Sequence, residues 1–190
     1  MAAPRLPDSF LTDPEVLFSL SPPSLSFLLT THSNADRALI TNICNGASDV
    51  QYCVDLFTID PGSVTVDAHG LALISIQTTF IKIQDTLDTK ISDFVRNITD
   101  SVGKQRIGVC QSDYTDAATK YTNVFQSTEK KAYLDAIDEL RIGSNDVVDC
   151  QNIYRTKDPI AESPVSTENI EIAIKLTGVI LTVVEYLIRN

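Results

Sequence analysis

From Asp67 to the C-terminus, apolar residues recur at spacings of three and four, and this period constrains the fold more than any other feature of the chain. Leu73, Ile76, Phe80, Ile83, Leu87, Phe94 and Ile98 form one stripe, with Ile91 in its long gap, over about seven turns of helix. Ile107, Cys110, Tyr114, Ala117, Tyr121 and Val124 form a second. Tyr133, Ala136, Leu140, Gly143, Val147, Cys150 and Tyr154 form a third, and Ile170, Ala173, Thr177, Ile180, Val184 and Leu187 a fourth. Each stripe gives a helix one apolar side that must be covered. Four long helices of this kind predict an all-α protein, an antiparallel four-helix bundle.

The breaks between the stripes are readable. Asp100–Gly103 separates the first two helices. Gln126–Glu129 separates the second and third, with Ser127 or Thr128 as the N-cap. The last loop runs from Lys157-Asp158-Pro159 to Ser163-Pro164, after which Ser166 is expected to cap the closing helix, with Glu168 in its first turn. Gly143 is expected to break or kink the third helix. Ahead of the bundle, Asp60-Pro61-Gly62-Ser63 reads as a turn, so residues 38–58 are expected to form a small helical hairpin.

Residues 1–35 differ in character. They hold Pro4, Pro7, Pro14, Pro22 and Pro23, which disfavour a stable helix. The mostly apolar stretch Val16–Leu29 is followed by Ser33-Asn34-Ala35, with small residues at the first and third places. That is the pattern of a signal peptide cleaved after Ala35. The alternative is a disordered extension, since Arg5 is outweighed by Asp8, Asp13 and Glu15. The folded domain is expected to span residues 36–190. Ile170–Ile188 is the most apolar stretch, but Glu171, Lys175 and Glu185 interrupt it, so it reads as a buried helix and not a membrane span.

With 190 residues the chain suits one domain with a sizeable core. Its net charge of −10 argues against nucleic acid, an anionic membrane or an acidic polysaccharide as a partner. Only His32 and His69 are available for histidine chemistry. No Gly-x-Ser-x-Gly elbow and no glycine-rich phosphate loop occurs. No cofactor and no metal is expected.

Cys44, Cys53, Cys110 and Cys150 all fall after the expected leader, and an even count there suggests two disulfides. The alternative is four reduced thiols in a cytosolic protein. Three pairings are possible. Cys110 and Cys150 lie on the seams of consecutive helices, which favours their pairing and leaves Cys44 and Cys53 to tie the hairpin to itself.

Taken in order, these segments resemble the plant invertase and pectin methylesterase inhibitor family. The residues that carry the resemblance begin with Ile43-Cys44 and Tyr52-Cys53-Val54. They continue with Asp60–Ser63, the run Asp67–Ile74, and Cys110-Gln-Ser-Asp-Tyr114-Thr-Asp-Ala117. Val148-Asp149-Cys150 with Tyr154, and Ser163-Pro164-Val165 before the last helix, complete the set. The resemblance spans roughly residues 38–189 and is nearest the secreted pollen-allergen branch, whose members carry the name invertase inhibitor. It implies a four-helix bundle with an N-terminal hairpin, and disulfides Cys44–Cys53 and Cys110–Cys150. It also implies a secreted protein of the plant cell wall (apoplast), with the vacuole as the alternative, and no catalysis by the chain. The implied function is inhibition of an acid invertase by occlusion of its active-site cleft. The alternative is inhibition of a pectin methylesterase (pectinesterase) by the bundle's outer face. A more remote alternative is a non-inhibitory bundle that carries a small ligand.

The chain departs from the family where invertase inhibitors place Pro-Lys-Phe before the fourth cysteine. It has Thr128-Glu129-Lys130-Lys131-Ala132-Tyr133 instead. Lys130, Lys131 and Tyr133 are the candidate partner-binding residues, since a cation beside an aromatic suits a cleft lined by carboxylates. The competing reading makes Tyr133 the first rung of the third seam. Asp113, Asp116, Asp135, Asp138 and Glu139 form an acidic face suited to a basic partner, or simply a solvated helix surface. Asn97-Ile98-Thr99 is a glycosylation sequon at an expected helix end, which makes Asn97 the candidate site. His69, near the start of the first long helix, has no sequence partner and is read as structural.

Overall fold

The computed structural model describes residues 32–190. Residues 1–31, most of the expected leader, lie outside the described residues. His32–Ala35, its last part, already belong to the first helix. Helices α1 (His32–Cys44) and α2 (Val50–Ile59) form the N-terminal hairpin. Asp49 caps α2 by accepting the Tyr52 backbone N–H at 3.0 Å. The Cys44–Cys53 disulfide, with Cα atoms 5.6 Å apart, closes the hairpin's connection. The Asp60 carboxylate then accepts the N–H groups of Gly62 and Ser63 at 2.6 and 3.2 Å, which turns the chain toward the bundle.

Four long helical rods follow. The first is α3 (Ala68–Asp85), continued through a π turn (Thr86–Ile91) into α4 (Ser92–Asn97). The second is α5 (Ser101–Glu129) and the third α6 (Tyr133–Arg155). The fourth is α7 (Ser166–Ile170), continued through a second π turn (Glu171–Leu176) into α8 (Thr177–Arg189). Asp67 and Asp100 cap the first two rods by accepting the N–H of Gly70 at 2.9 Å and of Gly103 at 2.7 Å. The connections 98–100 and 130–132 are too short for anything but antiparallel neighbours. α5 packs on α3 and α6, and α8 packs on the same two, so the four rods close a ring around one core.

The second and third seams lie where the sequence places them. Ile107, Cys110, Tyr114, Ala117, Tyr121 and Val124 are buried, as are Ala136, Leu140, Val147, Cys150 and Tyr154. The Cys110–Cys150 disulfide joins the two helices, with Cα atoms 4.5 Å apart. Gly143 does not break α6, which runs uninterrupted from Tyr133 to Arg155. A Cβ there would sit 2.9 Å from Lys120 Cβ and 3.0 Å from the Tyr121 ring, so its bareness lets the two helices approach.

The outer seams depart from expectation. On the first rod the interior positions are Leu71, Ala72, Ser75, Ile76, Thr79, Ile83, Thr86 and Ile91. Phe80, Leu87 and Phe94 lie half-buried against the flank of the core, and Leu73 is half-buried too. Counting apolar residues alone misses the hydroxyls inside. Ser75, Thr79 and Thr86 are tolerated because each donates to a carbonyl of its own helix, of Ala72, Ser75 and Lys82, at 2.8 Å. On the fourth rod the expected positions Thr177, Ile180 and Val184 are buried. Ahead of Thr177 the seam is displaced by one, so that Asn169 and, within the π turn, Ile172 are buried while Ile170 is exposed. The extra residue of a π turn produces this slip. In both turns the residue that follows, Ser92 or Thr177, donates its hydroxyl to the carbonyl five residues back, Leu87 at 3.0 Å and Ile172 at 2.8 Å.

Two expected caps are corrected. α5 continues to Glu129, so Ser127 and Thr128 belong to its last turn and do not start α6. Ser166 does not cap α7 either. Its hydroxyl donates to Glu162 at 2.8 Å, and it is the Ser163 hydroxyl that accepts the Val165 N–H at 3.3 Å. The loop between α6 and α7 is held from beneath by buried Arg106, which donates to the carbonyls of Lys157 and Pro159 at 2.6 Å each and lies over the Tyr154 ring.

Candidate functional site

The α5–α6 turn carries Lys130, Lys131 and Tyr133. Its backbone explains its shape. Lys131 adopts φ 58°, the left-handed region usually left to glycine. The Lys131 N–H reaches the Thr128 carbonyl and the Ala132 N–H the Ser127 carbonyl, both at 2.8 Å. This paired closure ends a helix and satisfies its last carbonyls. Lys130 and Lys131 are exposed. Tyr133 is half-buried, and its hydroxyl lies 3.1 Å from His69 Nδ1 on α3, the two rings meeting edge-on. Burial, then the charge of Asp67, pushes the Tyr133 phenol up. The structure therefore separates the three candidates: the cations face solvent while the aromatic faces the base of α3. His69, read as structural, is the residue that holds it.

The acidic face is also rearranged. Asp113 and Asp116 of α5 group with Asp146 and Asp149 of α6. Burial, then Asp149, Asp146 and Asp116, pushes the Asp113 carboxyl up to about 6. Asp146 is raised by burial and by Asp116 and Asp149, against the pull of Lys120. Asp135, Asp138 and Glu139 belong to the other end of α6. Glu139 pairs with Lys120 at 3.2 Å and Asp138 with Arg141 at 3.7 Å. Sequence reasoning missed Asp146 and Asp149, although their spacing of three repeats that of Asp113 and Asp116 on the facing helix.

A groove of about 410 Å³ runs between α3 and α5 along Ile76, Phe80, Tyr121 and Phe125, with Gln77, Gln126 and Glu129 on its sides. It is an open surface groove and not the internal pocket that a carrier would need. Among the described residues, no group of His, Cys, Asp and Glu is placed to hold a metal ion. No helix among them is long and apolar enough to cross a membrane. Asn97 is the last residue of α4 and is exposed.

No family profile matches the chain. It is 29% identical over 150 residues to "Pectinesterase inhibitor 5" of Arabidopsis thaliana, covering 78% of this chain and 83% of that protein. It is 27% identical over 136 residues to a "Putative invertase inhibitor" of Platanus orientalis, covering 72% of this chain and 78% of that one. Among solved structures, a mutant form of a pectin methylesterase inhibitor from Arabidopsis superposes with a TM-score of 0.65 at 16% identity. That likeness covers 77% of this chain and 95% of the other. A second pectin methylesterase inhibitor, from Arabidopsis thaliana, superposes with a TM-score of 0.58 at 18% identity, over 80% of this chain and 98% of its own. These two share the fold. The sequence relatives are named as inhibitors of enzymes and not as enzymes.

Proposed function

We propose that the chain, which is similar in sequence to a pectinesterase inhibitor and to invertase inhibitors, inhibits a cell-wall carbohydrate enzyme by docking a rigid bundle face across the substrate cleft. Pectin methylesterase is the first target and acid invertase the second. This reverses the order that the sequence suggests. The observation that carries the reversal is the inward turn of Tyr133 onto His69. A turn that enters a glycosidase cleft needs its aromatic free beside its cation, and here only Lys130 and Lys131 are free. The invertase reading keeps those two exposed lysines, held in a fixed corner, as its support.

The inhibitor performs no chemistry. Two disulfides and a filled core hold its surface in one conformation, so little entropy is lost when it docks. The same disulfides suit an oxidising compartment. We place the protein outside the cell, with residues 1–35 removed as a leader and Asn97 open to a glycan. The test is a titration of the oxidised protein against a pectin methylesterase and an acid invertase at mildly acidic pH. Stoichiometric loss of esterase activity alone is expected. Loss of invertase activity alone would overturn the order of targets, and activity retained by both would remove the inhibitor reading.

A further inference from the structure

We propose that the α6–α7 face carries a pit that receives an acidic side chain of a partner protein. The inference rests on the chain being a protein-binding bundle but not on which enzyme it binds. The pit, about 150 Å³, opens between α6 and the fourth rod. That is room for roughly five waters, or for one short side chain. Its walls are apolar, with Val148 on one side and Ile170 and Ile174 on the other, and it ends on Gln151, Asn169 and Arg155.

The polar end is a built arrangement. Gln151 and Asn169 are nearly fully buried, at 6% and 3% exposure. The Gln151 amide lies 2.9 Å from Asn169, and the Asn169 side chain lies 2.6 Å from the buried Tyr114 hydroxyl. A guanidinium only donates, so the Gln151 oxygen faces Arg155, 3.0 Å from both Nε and Nη2. That leaves the Gln151 NH2 facing Asn169 and asks Asn169 to turn its own oxygen to meet it. The network thus fixes one edge of the exposed guanidinium to the core and leaves its remaining N–H groups unengaged.

Charge selects the occupant. The chain carries a net charge of −10, so a bundle cation left without a carboxylate is surrounded by an excess of negative charge on its own chain. Lys82, Lys90, Arg96, Lys120, Arg141 and Arg189 each pair with a carboxylate. Among the described residues, Arg155 has no carboxylate within pairing distance. A partner's Asp or Glu would supply one, with its methylene stem along Val148 and Ile174. The ridge beside the pit strengthens the case, since Ile170 and Ile174 are 48% and 63% exposed. On the ridge's far side lies a second depression lined by Tyr52, Lys175 and Glu171, with Lys175 over the Tyr52 ring and Glu171 already paired with Lys82. An apolar ridge with a free cation on either side is complementary to an apolar groove bordered by carboxylates.

The test uses N-acetyl-glutamate N-methylamide as a stand-in for the partner side chain, followed by NMR of the oxidised protein. Saturable shifts at the Gln151 side-chain amide and the Val148 and Ile174 methyls are expected. They should weaken about tenfold for the glutamine counterpart and for Arg155→Gln. Arg141→Gln, a change to an arginine already paired with Asp138, should leave them unchanged. Equal response to the two probes, or no saturable shift at the pit up to about 100 mM, overturns the proposal. A parallel enzyme titration separates it from the function above. If wild type inhibits an enzyme and Arg155→Glu does so equally well, the pit is not part of the docking face. If wild type inhibits neither enzyme, the inhibitor reading fails and the probe titration still decides the pit.

Discussion

The two halves of the bundle are held together by different physics. α5 and α6 are uninterrupted helices joined by a disulfide, brought close by Gly143 and filled by tyrosines and aliphatic side chains. The first and fourth rods each contain a π turn, bury hydroxyls, and are tied across by Lys82–Glu171 at 2.8 Å and by Lys90 with buried Glu168. The Tyr121 hydroxyl, 2.6 Å from Thr177 Oγ1, links one half to the other. The difference teaches where the sequence is tolerant. An apolar, covalently closed pair depends on volume and geometry. A polar pair depends on each hydrogen bond being completed, because an unmet buried group costs more than the bond contributes.

The largest expected effect comes from opening the covalent half. Replacing Cys110 and Cys150 with alanine should cost about 4 kcal/mol, against about 3 kcal/mol for the Cys44 and Cys53 pair, because the first closes the longer loop. Urea unfolding of the two double variants checks the order, and equal losses would mean that loop length is not what matters here. Next comes Gly143→Ala, which should cost about 1–3 kcal/mol by forcing α5 and α6 apart. Gly108→Ala, on the same helix pair with nothing near the added methyl, should stabilise by about 0.5–1 kcal/mol. Matching signs in the two melting curves would remove the close-approach argument.

The polar half is probed by Glu168→Gln, expected to cost about 1–2 kcal/mol at neutral pH. Burial raises the Glu168 carboxyl, but its bond to Lys90, its own backbone N–H and the charges of Lys90 and Lys82 outweigh that and leave it lowered. A lowered carboxyl contributes stability above its unfolded pKa and loses it as pH falls through the folded one. The gap between wild type and variant should therefore close in acid. Asp113 has the opposite sign. Its carboxyl is raised to about 6, so the fold holds the proton longer than the unfolded chain does, and stability should fall as pH rises from about 4 through 6. Asp113→Asn should leave the melting temperature unchanged near pH 4 and raise it slightly near pH 7. An identical pH profile for wild type and variant would show that burial and the three neighbouring aspartates do not raise the Asp113 carboxyl.

The same contrast explains what was legible in the sequence. The seams of α5 and α6 were readable because their interiors are apolar or aromatic. The first seam was misplaced because Ser75, Thr79 and Thr86 do not register as core residues, although each completes its bond within its own turn. The last was displaced by one residue at its start, since a π turn leaves no mark in a count of threes and fours. The α5–α6 turn was misread at Ser127 and Thr128 because a lysine occupies the left-handed position that glycine would have announced. The pit at Arg155 was not anticipated. It depends on Gln151 and Asn169 meeting across two helices, and no spacing along one chain segment encodes that.

The central claim is that a bundle face, and not the α5–α6 turn, engages the target. The most direct measurement is the inhibition constant against pectin methylesterase of Lys130→Ala combined with Lys131→Gly, where glycine keeps the left-handed corner unstrained. The account predicts a constant within about threefold of wild type. A loss of about thirtyfold or more would place the turn in the cleft and contradict it.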